Sequence, residues 1–263
     1  MRIQVWGCSG GFGAQERTTC FQVNEDTLID AGTGLYAIPL DVQMQLKHVY
    51  LTHAHFDHIV ALPGLADVVA RAILGGHREP LHVYGLPETL QAVRDHLFNG
   101  VVWPKLTGSV PILVFHEVRV GDVLPAGDGQ IEVVAATHNI PACGYLLQRQ
   151  GKGWLFTGDT WRNPALWHML NTRQGSLQLK TIVADAAFHN DAHDFAELCG
   201  HLTIADLADD IQVLEQQYVN LFVTHRKPAD SEQLPQEMLK LQEMMARKGG
   251  QAHILHSGHI FSL

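Results

Sequence analysis

Four short apolar runs in this 263-residue chain each stop at a side chain able to hold a metal ion, and that shared placement constrains the fold more than any other feature. Lys47-His48-Val49-Tyr50-Leu51 leads to His53, and Ile131 to Ala136 leads to His138. Trp154-Leu155-Phe156 leads to Asp159, and Leu221-Phe222-Val223-Thr224 leads to His225. Runs this short and apolar read as buried strands, and residues just past the carboxyl ends of strands can meet at one sheet edge although far apart in sequence. Taken singly, a histidine after a strand is an ordinary polar loop residue and Gly158-Asp159-Thr160 an ordinary turn. Together they point to one rim.

The densest of these places is Leu51-Thr52-His53-Ala54-His55-Phe56-Asp57-His58. His53 and His55 are two apart, so in extended chain both side chains point the same way. Asp57 and His58 follow where the chain turns, which lets one loop aim two pairs of ligands at neighbouring positions. Imidazole and carboxylate together suit zinc, and also iron or manganese. The 17 histidines nearly equal the 18 lysines and arginines, a surplus in keeping with metal chemistry.

The rest of the chain reads as a layered α+β arrangement. Strands are expected over 2–6, 19–23, 27–30, 48–52, 81–84, 112–118 and 131–137, with later ones at 154–156, 182–184, 221–223 and 252–256. Helices are expected over 65–74, from Pro87 to Asn99-Gly100, and over 235–248. A long one should carry Ile204, Leu207, Ile211, Leu214 and Tyr218 on one face, capped by Thr203 with Asp206. No repeat or linker interrupts the pattern, so one domain over 1–263 with helices on the outer faces is expected. A hydrophobic fraction of 46% and a charged fraction of 17% exclude a disordered chain. The four cysteines, at 8, 20, 143 and 199, show no paired spacing for disulfides or a thiolate zinc site. With no leader-like start and no apolar run of membrane-spanning length, a cytoplasmic protein without a membrane partner is expected. The net charge of −9 argues against a broad nucleic-acid surface.

The chain resembles the metallo-β-lactamase superfamily, whose signature H-x-H-x-D-H is matched by His53 to His58, with His138, Asp159 and His225 in the order of its later motifs. The resemblance implies a four-layer αββα sandwich of the metallo-β-lactamase type. It implies two divalent metal ions, zinc first, with manganese or iron as alternatives. One ion would take His53, His55 and His138; the other would take Asp57, His58 and His225; Asp159 would bridge them. Asp30, in Leu28-Ile29-Asp30-Ala31-Gly32, would orient a ligand histidine. Histidine at 55, where the oxygen-reducing di-iron branch has glutamate, implies hydrolysis.

The opening Gly7-Cys8-Ser9-Gly10-Gly11-Phe12-Gly13 lacks dinucleotide-binding spacing and reads as a glycine turn near the rim. With Arg17-Thr18-Thr19 and Gly200-His201-Leu202-Thr203, it resembles the phosphodiesterase branches: class II cyclic-nucleotide phosphodiesterases and tRNA 3′-processing endonucleases. That implies a hydrolase with Asp57 and His201 as catalytic residues, His201 donating a proton to the leaving oxygen. A small 3′,5′-cyclic nucleotide is the expected substrate, hydrolysed to a 5′-monophosphate. The acidic charge and the absence of a basic, Gly- and Pro-rich arm favour it over tRNA. Arylsulfatase and thioester hydrolase activity, and a non-catalytic metal-binding interaction protein, are the alternatives. The class II pattern has Leu and Gly where this chain has Phe56 and Ala61. His189 and His193 read as solvated loop residues; His256 and His259 have no assigned role, and a homodimer is compatible with exposed apolar residues near the opening.

Overall fold

The computed structural model describes residues 1–228 and 234–263. The first half of the chain builds β1 (Arg2–Gly7), β2 (Cys20–Val23), β3 (Thr27–Ile29), β4 (His48–Tyr50), β5 (Leu81–Gly85) and β6 (Leu113–Glu117). The second builds β7 (Val123–Ala126), β8 (Gly129–Ala135), β9 (Cys143–Arg149), β10 (Lys152–Phe156), β11 (Gln178–Asp185), β12 (Asn220–Thr224) and β13 (Gln251–Ile254). The last strand, β14 (Ile260–Ser262), crosses back to pair with β1. The result is two seven-stranded sheets, ordered β14-β1-β2-β3-β4-β5-β6 and β13-β12-β11-β10-β9-β8-β7.

Side-chain alternation sorts the apolar residues into three layers of core. Ile3, Val5, Phe21, Val23, Ile29 and Tyr50 of the first sheet meet Ile131, Val133, Tyr145, Leu147, Trp154 and Phe156 of the second. Their strand neighbours face outward. Leu28, Val49, Leu81 and Val83 pack under the helix Leu62–Leu74 through Leu65, Ala66, Val69 and Ile73. On the far side Leu146, Leu155, Ile182, Leu221 and Val223 pack under Leu166, Trp167, Leu207, Ile211, Met238, Leu241 and Met245, which belong to three helices. Strands covered on both faces read as unbroken apolar runs, which is why those runs stand out in the sequence. This is the helix–sheet–sheet–helix sandwich expected from the sequence.

Strand direction decides where the runs end. β3, β4, β5 and β6 are mutually parallel. β10, β11, β12 and β13 are parallel too, and β8 runs antiparallel to β9, which runs antiparallel to β10. β8, β10, β11 and β12 therefore share one carboxyl edge. The sheets are tied together at that edge, where Cys143 N–H donates to Thr52 O at 3.0 Å and the Tyr145 hydroxyl donates to Leu51 O at 2.7 Å.

Several expected elements differ in extent. The capping box of Thr203 and Asp206 forms, but the helix it starts covers only Ile204–Ile211. Leu214 is buried beyond it, whereas Tyr218 is 70% exposed and left-handed. The buried Gln216 draws the chain away, accepting from Leu179 N–H at 2.8 Å and donating to Leu170 O at 3.1 Å. The His193 side chain is 45% exposed, in keeping with a solvated residue, but it opens the helix His193–Cys199 rather than lying in a loop, and its Nδ1 is 2.9 Å from Asp206. His189 likewise stands 3.3 Å from Glu237. Among the described residues, no helix is long and apolar enough to cross a membrane.

Candidate metal centre

The shared carboxyl edge gathers the histidines and aspartates that the sequence placed past its apolar runs. His53, His55, His138 and Asp159 form one group whose ligand atoms lie within 4.8 Å of one another, Asp57, His58 and His225 a second, and Asp159, His201 and His225 a third. Asp159 sits between the groups: its Oδ2 is 3.5 Å from His53 Nε2, 3.2 Å from His58 Nε2 and 3.1 Å from His225 Nε2. His225 Nε2 is also 3.1 Å from Asp57 Oδ2, and His138 Nε2 is 3.1 Å from His55 Nδ1.

Outer partners fix which nitrogen of each ring faces inward. His138 Nδ1 lies 2.9 Å from Gly200 O, and a carbonyl can only accept, so Nδ1 carries the proton and Nε2 presents a lone pair. His58 Nδ1 is 2.7 Å from the Asp30 carboxylate, with the same consequence. The Thr52 hydroxyl donates to Asp30 at 2.9 Å and so accepts from His53 Nδ1, also at 2.9 Å. Asp30 thus orients His58 directly and His53 through Thr52. It does so from a left-handed backbone (φ 59°), a conformation that Asp tolerates better than most residues.

His225 is also left-handed (φ 63°), and the glycine-rich opening of the chain holds it there. Its N–H donates to Cys8 O at 2.9 Å, and Gly10 N–H donates to Arg226 O at 2.9 Å. A Cβ on Gly10 would overlap both the His225 carbonyl and its imidazole, so only glycine fits. The opening lies at the rim, as its reading as a glycine turn expected, and it also clamps a candidate ligand, which that reading did not foresee.

Sequence reasoning missed Asp185, the last residue of β11. Its Oδ2 accepts from His201 Nδ1 at 2.8 Å and from Thr160 N–H at 3.1 Å, and its Oδ1 is 3.7 Å from His225 Nδ1. The signal was present, since Ile182-Val183-Ala184-Asp185 ends an apolar run just as the other strands do. The His201 ring stacks on His225, with centroids 4.8 Å apart and planes at 19°. The rings of His256 and His259 lie elsewhere: His259 packs on Phe222 and Phe261, and His256 lines a separate cleft with Cys8 and Glu16.

The titration behaviour follows from burial and charge. Burial, reinforced by neighbouring imidazoles, holds His53 well below the usual histidine range and pushes His55 down to about 4. Burial also opposes charge on His58, but Asp159, Asp30 and Asp57 outweigh it and raise its proton affinity well above normal. Burial works to raise Asp159, yet His225, His58 and His53 overcome it and keep the carboxyl ionised. Asp185, buried and facing Asp159, is pushed up to about 7.

The centre fits divalent cations on its own geometry. His53 Nε2 and both Asp159 oxygens are buried with no hydrogen-bond partner. One such orphan costs about 1–3 kcal/mol, and more when charged. Several inward lone pairs and buried carboxylates at one point are what a cation in an N/O site stabilises. Beside His138 lies a cavity of about 590 Å³, lined by Leu86, Glu88, Thr137, Asn139 and Ile140 among others.

Fold and rim together define a metallo-β-lactamase-fold protein. By sequence the chain resembles the phosphodiesterase branch of that superfamily, a family of hydrolases. Residues 39–134 match the family model of class-II cAMP phosphodiesterases, a span that includes His53 to His58. A ribonuclease Z of Acaryochloris marina is 31% identical over 171 residues, 60% of this chain and 51% of that protein. This chain thus spans about half the length of that relative. Among solved structures, unliganded yeast PDE1 superposes with a TM-score of 0.79 at 18% identity, covering 100% of this chain and 99% of the other. The metallo-β-lactamase fold protein YhfI from Bacillus subtilis gives 0.76 at 19% identity, covering 99% and 98%.

Proposed function

We propose that this protein is a metal-dependent phosphodiesterase that acts on RNA. The carrying observation is the rim, where a seven-residue His/Asp set stands beside a buried His201–Asp185 pair. Two divalent ions held there would supply a nucleophile at neutral pH and offset the charge of a bound phosphodiester. His53, His55 and His138 would hold one, Asp57, His58 and His225 the other, with Asp159 reaching both. Zinc suits this mixed imidazole–carboxylate set, with manganese or iron as alternatives.

The protein's own part in the chemistry is orientation and proton transfer. Asp30, Thr52 and Gly200 O fix the tautomers of His58, His53 and His138 and hold those three rings in place. The Asp185 carboxylate accepts from His201 Nδ1 and so favours the imidazolium form, in which Nε2 also carries a proton and can donate it to the leaving ribose oxygen. Burial raises Asp185 to about 7 and lowers His201, opposing that form in the free protein, whereas the negative charge of a bound phosphodiester would favour it.

RNA is preferred because the ribonuclease Z relative supports it over a cyclic nucleotide, the reverse of the order that net charge suggested. Processing of tRNA 3′ ends is the specific form of that reading. Hydrolysis of a 3′,5′-cyclic nucleotide is the second reading, favoured by the class-II match over 39–134. The test is one panel on metal-replete protein: precursor tRNA, cyclic AMP and bis-p-nitrophenyl phosphate. Cleavage of the precursor at its 3′ side is expected. Turnover of cyclic AMP alone would replace the first reading with the second, and turnover of none would sink both.

A further inference from the structure

Two phenylalanines at the rim do nothing for the core. Phe56 lies between His55 and Asp57 and is 59% exposed; Phe12, in the glycine-rich opening, is 57% exposed. Their rings stand 6.2 Å apart, tilted at 49°. One exposed aromatic residue is ordinary. Here two come from segments far apart in sequence, and their rings meet beside the candidate ligands. Phe12 is two residues from Gly10, whose backbone lies against the His225 ring, and Phe56 is one residue from candidate ligands on either side. The Phe12 loop is also secured, since Lys227 Nζ donates to Gly10 O at 2.6 Å.

We propose that Phe12 and Phe56 form a stacking platform for the nucleobase beside the scissile phosphate, making the site selective for nucleotides over phosphodiesters that carry no base. The inference rests on the phosphodiesterase reading. Every base has a π-face, so a platform of two rings grips a nucleotide without reading its sequence. It also suits an acidic chain of net charge −9, because base stacking grips a nucleotide without relying on basic side chains.

The test compares adenosine 5′-monophosphate with ribose 5-phosphate by calorimetry on metal-replete protein. The unmodified protein should bind the nucleotide on the order of tenfold more tightly or better. Phe56→Ala and Phe12→Ala should each shrink that ratio, with metal content and melting temperature unchanged, and Phe56→Tyr should restore it. Equal binding of the two ligands by the unmodified protein, binding of neither, or a ratio untouched in both alanine variants would overturn the platform. A protein that discriminates the two ligands but cleaves no phosphodiester would keep the platform and sink the hydrolase reading instead.

Discussion

Two clusters of histidines flank the first sheet, one of them completed by His225 from the second sheet, and they behave differently. At the front, past the strand ends, His53, His58 and His225 are buried and face Asp30, Asp57 and Asp159. At the rear, His48, His82 and His116 sit on β4, β5 and β6, half-buried. His82 Nδ1 is 2.8 Å from His116 Nε2, the Tyr84 ring stacks on His116 at 4.6 Å, and the Tyr84 hydroxyl is 3.4 Å from His48. These imidazoles satisfy one another and tyrosine. Among the described residues, every group of three or more His, Cys, Asp or Glu with ligand atoms within 4.8 Å lies at the front. Crowded histidines alone do not make a metal centre. Inward lone pairs fixed by outer acceptors, with a buried carboxylate among them, do.

That contrast can be broken at several points. Asp159→Ala removes the carboxylate between the two front groups, and metal analysis should then show lost ions together with loss of nearly all phosphodiester turnover. Asp185→Asn should keep both ions but slow turnover by ~10²–10⁴-fold, matching His201→Ala, if the pair is the general acid. Full metal content with unchanged turnover would remove Asp185 from the reaction. Asp30→Ala should weaken metal affinity by roughly 10–100-fold, read by competition with a chelating dye.

A pH series sharpens the comparison next. His55 titrates at about 4 when folded, against an unfolded value of about 6.5. Between those values the unfolded chain binds the extra proton, so metal-free protein loses stability as pH falls through that window. His53, His138 and His201 at the front and His48 and His116 at the rear shift the same way. Asp185, His58, Asp30, Asp210 and His193, all raised, act oppositely, their contribution being lost as pH rises through their folded values. The lowered histidines, with His259 among them, are still more numerous, so the urea midpoint should be lower at about pH 5 than at about pH 7.5. An inverted order would show that the raised groups dominate. The smallest effect belongs to the rear: His82→Ala should leave metal content and turnover unchanged, with only a modest drop in melting temperature from the lost ring contacts.

Most of the rim was legible because doubly covered strands leave unbroken apolar runs, and each run ends where a polar residue must follow. His138, Asp159 and His225 were placed by that shared position together with the order of the family's motifs. Asp185 obeyed the same rule but escaped notice, since no signature motif drew attention to it. β9 also went unread, although Gln150 and Gly151, both left-handed, make the tight turn that joins it to β10. The end of the Ile204–Ile211 helix was not legible. Helical spacing of apolar residues continues to Tyr218, while Gln216 bonds to residues 37 and 46 positions away. Tertiary hydrogen bonds of that kind leave no local pattern. The clamp on His225 was equally hidden, because nothing in Gly10 itself points to its partner.

That clamp joins distant parts of the chain: the Ser9 hydroxyl donates to Arg226 O across 217 positions. A ribosome releases the cradle before its imidazole. The H-x-H-x-D-H loop therefore emerges before His138, Asp159 and His225, and capture of an ion there would wait on a loop closure across 217 positions.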